Sequence, residues 1–253
     1  MVHFVGAGPG AVDLITVRGM NLLKNADIII YAGSLVNKEL LDYCKKDSVI
    51  YNSAFMTLEE VIEVCLGAQR DNLDVVRLHT GDQSVYGAVR EQMDILDEKG
   101  IEYDSCPGVS ACFGAAASLN LEYTLPGISQ SLIITRMEGR TEVPKKESIE
   151  SFASHGASMA IYLSTGMLEE LSRRLIEGGY DKSTPAAIVY KATWPEEQIM
   201  VGTVESLYDM AKENNITKTA LILVGDCINT SSYEKSRLYA ADFSTEFRKA
   251  KDK

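Results

Sequence analysis

The fold class is indicated most clearly by Thr80-Gly81-Asp82-Gln83-Ser84-Val85-Tyr86-Gly87, a polar loop with a glycine near each end. A strand-like run, 73–78, precedes this loop and a helical pattern, 88–99, follows it. In open α/β folds a loop in this position lies at the carboxyl edge of the sheet, where small ligands bind. Its carboxylate, hydroxyl and backbone N–H groups predict a site for a small polar molecule. The alternative is an ordinary turn between strand and helix.

Length and charge limit the classes of function. The chain has 253 residues, which suits one large or two small domains, and its formal net charge is −11. Binding to nucleic acid or to an anionic membrane relies on an excess of Lys and Arg that neutralises phosphate. We therefore expect neither kind of partner.

The sequence indicates no targeting or membrane segment. The first strand-like run begins at Val2 without a basic segment before it, and no apolar run approaches the ~20 residues that span a bilayer. We expect a cytoplasmic protein with free, mostly buried thiols, because the five cysteines are odd in number and form no CxxC pair. The three histidines lack ligand spacing, so we expect no metal site.

The chain opens with a strand–helix–strand pattern. A strand at 2–5 ends in Gly6-Ala7-Gly8-Pro9-Gly10, and a helix at 16–25 leads to an apolar strand at 27–31. The loop nearly matches the dinucleotide fingerprint. Pro9 removes an N–H donor from it, and no acidic residue follows the second strand, so a nicotinamide cofactor is disfavoured. The sequence lacks the Gly-Lys-Ser/Thr of a Walker A loop.

The rest of the pattern predicts two α/β domains. Thr57 and Glu60 have the spacing of a capping box at the start of a helix. The pattern lapses over 120–127, and we place a domain boundary there. The predicted domains are 1–120 and 121–230, followed by a tail, 231–253. Besides those already given, the predicted strands are 48–51, 131–135, 158–163, 186–190, 198–203 and 220–224, and the predicted helices are 37–45, 58–70, 112–119, 167–176 and 204–213.

Several motifs spread along the chain occur together in one known family. They are Val5-Gly6-Ala7-Gly8-Pro9-Gly10, Gly81-Asp82 with Tyr86-Gly87, Pro107-Gly108-Val109-Ser110-Ala111 and Ala220-Leu221-Ile222-Leu223-Val224-Gly225. The set resembles the tetrapyrrole methylases, which are S-adenosylmethionine-dependent enzymes of corrin and sirohaem synthesis. The likeness covers nearly the whole chain. It is greatest to methylases of corrin precursors, through Ile30-Tyr31-Ala32-Gly33-Ser34-Leu35-Val36, the run 53–60, Thr135-Arg136-Met137-Glu138-Gly139-Arg140-Thr141 and Ser236-Arg237-Leu238-Tyr239.

The resemblance implies two α/β domains with the active-site cleft between them and S-adenosylmethionine folded into that cleft. It also implies a homodimer, and it places Pro9 in a loop that faces the substrate. The residues that match the family's cofactor contacts are Pro9, Thr80, Gly81, Asp82, Val85, Ser110, Ala111, Tyr162, Leu163, Lys191, Ala192, Ala220 and Leu221. The reaction implied is an in-line transfer of the sulfonium methyl to a ring carbon, which leaves S-adenosylhomocysteine and requires no metal.

An anionic tetrapyrrole substrate requires local cations in a chain of net charge −11. Arginine binds carboxylates in bidentate fashion. The candidate substrate-binding residues are Gly8, Arg18, His79, Arg136 and Arg140, with Lys191 as a further cation. Asp82 is a candidate for orienting the cofactor or favouring its positive charge, and capping its own turn is the alternative. For each cation alone, a solvated surface charge is the alternative.

Two positions depart from the family pattern. Gln83 stands where proline is usual and Phe55 where glycine is expected. We expect Gln83 to loosen the loop and Phe55 to add bulk near the cleft. Two other functions stay open: a relative that methylates another ring carbon, an RNA or a protein, and a protein that binds the cofactor without catalysis.

Overall fold

The computed structural model describes residues 1–139 and 141–250. Internal contacts divide the chain into two compact units. The first comprises Met1–Ser118 with Lys191–Gln198, and the second comprises Leu119–Tyr190 with the chain from Ile199 onward. Each unit contains one five-stranded sheet, so the predicted α/β class with two sheets is confirmed. The domain boundaries given above stay a prediction.

The sheet of the first unit is parallel throughout. Its strands lie in the order β3-β2-β4-β1-β5, and every neighbouring pair is parallel. Because parallel strands end at the same edge of a sheet, the loops after β1, β4 and β5 emerge side by side. The strands are β1 (Val2–Gly6), β2 (Ile28–Tyr31), β3 (Val49–Asn52), β4 (Val75–His79) and β5 (Tyr103–Cys106).

Helices cover both faces of this sheet, as a parallel sheet requires. Alternate strand residues point to opposite faces. Val5 and Val76 pack towards α1, whereas Phe4 and Val75 pack towards α2 and α3. The helices of this unit are α1 (Val17–Asn25), α2 (Leu58–Arg70), α3 (Arg90–Lys99) and α4 (Ala111–Leu119).

Local chemistry sets most helix starts. Thr57 and Glu60 form the predicted capping box at the start of α2. The helix after the central loop begins at Arg90, later than predicted, because Ala88 has a φ of 49° and leaves the helical region. The helix predicted at 37–45 is a 3-10 helix, Lys38–Tyr43.

The second unit has a mixed sheet in the order β6-β7-β10-β8-β9. Strand β6 is parallel to β7, and β10 is antiparallel to both of its neighbours. The start of β10 therefore lies beside the ends of β7 and β8. The strands are β6 (Leu132–Arg136), β7 (Ser158–Tyr162), β8 (Pro185–Tyr190), β9 (Gln198–Thr203) and β10 (Ala220–Val224).

Three helices and one face of the sheet form the core of this second unit. Ile161 and Ile222 from the sheet pack with Leu171 and Leu207 from the helices. Helix α5 was not predicted, and α7 begins later than predicted. The helices are α5 (Ile149–Ala153), α6 (Leu168–Gly178) and α7 (Leu207–Glu213). Among the residues that the structure describes, no helix has the length and apolarity that crossing a bilayer requires.

Candidate functional site

Three loops meet in close backbone contact at the carboxyl edge of the first sheet. Gly8 and Gly81 form a β-bridge, with N···O distances of 3.2 Å and 2.9 Å. A Cβ atom on Gly108 would lie 2.2 Å from the carbonyl oxygen of Gly81 and 2.7 Å from Cα of Gly6. Only glycine fits at such distances, so Gly6 and Gly108, from two separate motifs, share one packing requirement, whereas Gly81 is favoured by its positive φ of 59°.

Asp82 connects two of these loops. Its Oδ2 accepts a hydrogen bond from the backbone N–H of Gly108 at 2.8 Å, and its Oδ1 accepts from the backbone N–H of Ser84 at 2.9 Å and from the Ser84 hydroxyl. Burial alone would raise the pKa of Asp82, but the hydrogen bonds from Ser84 and Gly108 outweigh it and lower that pKa overall. Asp82 thus caps its own turn and carries a negative charge at this edge of the sheet.

Gln83 does not loosen the loop, contrary to the expectation above. Its side chain is 6% exposed, and its Nε2 donates to the carbonyl oxygens of Cys106 at 3.2 Å and Phe4 at 3.5 Å. The amide therefore ties the loop to β5 and β1, which a proline could not do. Phe55 follows β3, and 86% of its surface is exposed.

The loop around Pro9 is held at successive backbone groups. Trp194 Nε1 donates to the carbonyl oxygen of Pro9 at 3.0 Å, and Asn37 Nδ2 donates to that of Gly10 at 3.0 Å. The backbone N–H of Ala11 donates to Thr193 Oγ1 at 3.0 Å. Sequence reasoning did not assign Asn37, Thr193 or Trp194 to the site. The available signal was a lone tryptophan beside a proline in a connecting loop.

The other predicted cofactor residues of the first unit lie in the loops of this edge or in the segment 191–198. Thr80 is exposed, and its hydroxyl donates to the carbonyl oxygen of Leu35 at 2.6 Å. Ser110 is 5% exposed and directly precedes α4. Lys191 Nζ lies 3.4 Å from Glu196 Oε2. Val85 and Ala111 are half-buried, and Ala192 is buried.

The predicted residues of the second unit share one edge of its sheet. Tyr162 ends β7 and pairs with Arg136 at the end of β6. Ala220 and Leu221 begin β10, which runs antiparallel to β7. Leu163 is 65% exposed, and its φ is 55°. An exposed leucine in the left-handed region costs on the order of 1 kcal/mol or more, and such strain concentrates at ligand sites.

The candidate cations differ in their surroundings. The Arg136 guanidinium donates to the carbonyl oxygens of Met137, Thr141 and Glu142, each at 3.1 Å, and so holds the chain that follows β6. Arg18 is exposed in the first turn of α1. Arg140 lies outside the described residues.

The structure argues against His79 as a carboxylate-binding cation. Its side chain is only 4% exposed, and burial followed by the charge of Arg77 lowers its pKa to about 3. The imidazole is therefore neutral, and its Nε2 has no hydrogen-bond partner among the described residues. We omit His79 from the cationic set.

All five cysteines are free thiols, and Cys44 is the one that is only half-buried. Within 1–139 and 141–250, no three His, Cys, Asp or Glu side chains are placed to hold a metal ion.

A family model described as Tetrapyrrole (Corrin/Porphyrin) Methylases matches residues 1–208. The chain belongs to the tetrapyrrole methylase family. The match covers more than half of the chain and includes the glycine motifs whose contacts are described above. The predicted resemblance is therefore confirmed.

Individual relatives support the same assignment. The chain is 50% identical over 252 residues to the cobalt-precorrin-4 C(11)-methyltransferase of Methanocaldococcus jannaschii, with 100% of this chain and 97% of the relative covered. The X-ray structure of a cobalamin biosynthetic enzyme, cobalt precorrin-4 methyltransferase, is similar with a TM-score of 0.88 and 41% identity, over 90% of this chain and 96% of that one.

A more distant member of the fold carries a bound ligand. The uroporphyrin-III C-methyl transferase from Thermus thermophilus, complexed with S-adenyl homocysteine, has a TM-score of 0.73 and 23% identity. The match covers 90% of this chain and 92% of that chain. At this identity the likeness concerns the fold alone.

The packing of the three loops predicts the effect of Gly108→Ala in this tetrapyrrole methylase. The added methyl meets backbone atoms that cannot rotate away, so we expect a loss of more than about 2 kcal/mol in the free energy of unfolding. Gly67→Ala is the matched control. A Cβ there meets only Arg70 Nη2 at 3.8 Å within α2, so we expect a gain of ~0.5–1 kcal/mol. Urea unfolding measures both, and equal stabilities of the two variants would contradict the packing argument.

Burial of neutral His79 predicts a pH-dependent stability. The unfolded chain takes up a proton near pH 6.5, whereas the folded chain takes it up only near pH 3. The contribution is complete above pH 6.5 and falls by about 1.4 kcal/mol per pH unit as the pH drops towards 3. His79→Phe removes this dependence. Urea unfolding of both proteins at pH 7, 6 and 5 should show the wild type losing stability relative to His79→Phe as the pH falls, and a constant difference between them would contradict the prediction.

Proposed function

We propose that the protein is an S-adenosylmethionine-dependent methyltransferase that methylates C-11 of precorrin-4, or of its cobalt complex, in corrin ring synthesis. The observation that carries the proposal is the 50% identity, over all of this chain, to the Methanocaldococcus jannaschii protein of that name. The similarity to a solved cobalt precorrin-4 methyltransferase supports it. The product of the donor is S-adenosylhomocysteine.

The residues proposed to hold S-adenosylmethionine lie at one edge of each sheet. In the first unit they belong to the close-packed glycine loops and to the segment 191–198, and in the second they lie where β7 ends and β10 begins. The ionised carboxylate of Asp82 fits a cationic sulfonium donor, and the exposed, left-handed Leu163 fits a ligand-covering position. The proposed set is Pro9, Thr80, Gly81, Asp82, Val85, Ser110, Ala111, Tyr162, Leu163, Lys191, Ala192, Ala220 and Leu221.

Positioning is the main contribution that these residues make. S-adenosylmethionine supplies an electrophilic methyl group, which an electron-rich ring carbon accepts in line as a neutral thioether leaves. The glycine loops present main-chain groups whose positions are fixed by contacts such as Gly8 with Gly81. Holding the reacting carbons at near-attack distance can supply roughly 7–11 kcal/mol. Asp82 would favour the positive charge of the bound donor.

The tetrapyrrole carries several carboxylates, and the protein has a net charge of −11. We propose that Arg18, Arg136 and Arg140 bind these carboxylates, with Lys191 as a further cation and Gly8 as a close backbone contact. The cationic groups offset the long-range repulsion between an acidic protein and an acidic substrate. The homodimer, the cytoplasmic location and the absence of nucleic-acid and membrane partners stay predictions.

Mass spectrometry of the products tests the proposed function. The purified protein is incubated with S-adenosylmethionine and, in separate reactions, with precorrin-4 and with cobalt-precorrin-4. We expect one added methyl group, located at C-11 by NMR with a labelled donor. A methyl on another ring carbon would overturn the C-11 assignment. Binding of S-adenosylhomocysteine in calorimetry without turnover would overturn the enzymatic function, and absence of that binding would overturn the cofactor assignment.

Arg136→Ala should raise the KM for the tetrapyrrole about tenfold and leave the Kd for S-adenosylhomocysteine unchanged. The change removes a carboxylate-binding group and releases the carbonyls of 137, 141 and 142, and both effects weaken substrate binding. Arg173→Ala is the matched control, because Arg173 lies on α6 with an exposed side chain paired to Glu177. Steady-state kinetics with equal KM values for Arg136→Ala and the wild type would refute this role.

A further inference from the structure

The segment 191–198 has an unusual place in the chain. It connects β8 to β9 of the second sheet, yet its contacts assign it to the first unit. We call it the Trp194 segment. Its backbone is strained, because Lys191 and Thr193 have φ values of 46° and 68°. Left-handed conformations at non-glycine residues persist only where the surroundings hold them.

Glu197 makes several of the hydrogen bonds that stabilise this backbone conformation. Its Oε2 accepts hydrogen bonds from the backbone N–H of Thr193 at 2.5 Å and from the hydroxyl of Ser118 at 2.6 Å. The backbone N–H of Glu197 donates to the carbonyl oxygen of Trp194 at 3.0 Å. One carboxylate therefore fixes the left-handed Thr193 and ties the Trp194 segment to the end of α4.

The contacts of the Trp194 segment converge on the loop around Pro9. Trp194 donates to the carbonyl of Pro9, and Thr193 accepts from the N–H of Ala11. A Cβ on Gly10 would lie 2.0 Å from the indole ring, so the ring lies directly on the backbone of that glycine. Together these contacts fix the main chain on both sides of Pro9.

Helix α4 closes the other side of this loop. A Cβ on Gly114 would lie 2.8 Å from Cβ of Pro9 and 3.2 Å from Cγ2 of Thr193. The glycine at position 114 of α4 is thus explained by the close approach of the Pro9 ring. The ring of Pro9 packs against α4, and the carbonyl oxygen of Pro9 accepts a hydrogen bond from Trp194.

We propose that Trp194, held by Glu197, is a positioning residue that sets the place of Pro9 against the reacting groups. The inference rests on the function proposed above. Trp194 acts through Pro9 and not by touching the methyl group. In a reaction driven by near-attack geometry, a displacement of about 1 Å at such a loop can cost up to about 100-fold in rate. Removing the indole N–H should therefore lower kcat while the melting temperature stays close to that of the wild type.

Trp194→Phe separates positioning from general structure. Phenylalanine keeps a ring over Gly10 but loses the hydrogen bond to Pro9. We expect kcat to fall about tenfold, with the KM for the tetrapyrrole and the Kd for S-adenosylhomocysteine each changing by less than about twofold. The melting temperature should stay close to that of the wild type, and Trp194→Ala should lose more activity. A kcat of Trp194→Phe within about twofold of the wild type, or a loss that only follows the folded fraction, would overturn the proposal.

A second measurement does not depend on catalysis. Trp194 is the only tryptophan in the chain, so emission excited selectively over that of the twelve tyrosines reports on the surroundings of this one side chain. Glu197→Ala should shift the emission maximum of Trp194 to the red and increase its quenching by acrylamide. The reason is that the segment loses the carboxylate hydrogen bonds to Thr193 and Ser118, so that water reaches the indole more easily. Glu197→Gln, whose amide oxygen can accept the same two hydrogen bonds, should restore the wild-type emission. Glu98→Gln, which removes an exposed carboxylate from α3, is the matched control.

The two experiments distinguish this inference from the proposed function. Identical emission of Glu197→Ala and the wild type would show that Glu197 does not hold Trp194, whatever the reaction. If the wild type methylates no tetrapyrrole while the emission of Glu197→Ala shifts as expected, the proposed function fails and the contact stands. The claim that the contact sets the reaction geometry would then be overturned with the function.

Discussion

The close approach of three backbone segments is the constraint on which the rest of this site depends. A parallel sheet brings the ends of β1, β4 and β5 to one edge, and the loops touch there because Gly6 and Gly108 have no side chains and Gly81 has a left-handed φ of 59°. Asp82 then connects the loops through hydrogen bonds. A surface made of interlocked main chain keeps its shape without relying on side-chain rotamers, and this suits a reaction whose rate depends on geometry.

Electrostatics add a second requirement. An acidic protein can bind an acidic macrocycle only where positive charge is concentrated on a few side chains. The candidate cationic side chains have different surroundings in this structure. Arg136 is engaged with three carbonyl oxygens of its own chain, whereas Arg18 is exposed. His79 is neutral because burial outweighs any benefit of its charge. Basic residues chosen from sequence motifs can therefore be exposed, engaged with the backbone or buried in the core.

Features that depend on residues close together in the sequence could be predicted for this fold. The capping box at Thr57 and the bounds of α2 follow from spacing that lies within one helical turn. The sequence could not indicate that Gln83 reaches the carbonyl of Cys106, since that contact depends on the pairing of distant strands. Trp194 lies 185 residues from Pro9 along the chain, and no pattern in a single sequence connects them. The motifs located the glycine loops, and only the structure showed what fixes them.

The first unit is not built from one continuous stretch of polypeptide. Its sheet and four helices are complete by Leu119, but Thr193 and Trp194, which bind the loop around Pro9, come from 191–198. A ribosome must therefore synthesise most of the second unit before the first can be finished. Until then Gly10 lacks the indole that lies on it, and the loop around Pro9 lacks its partners Thr193 and Trp194. The loop around Pro9 can thus reach its final packing only after residues 191–198 have been synthesised.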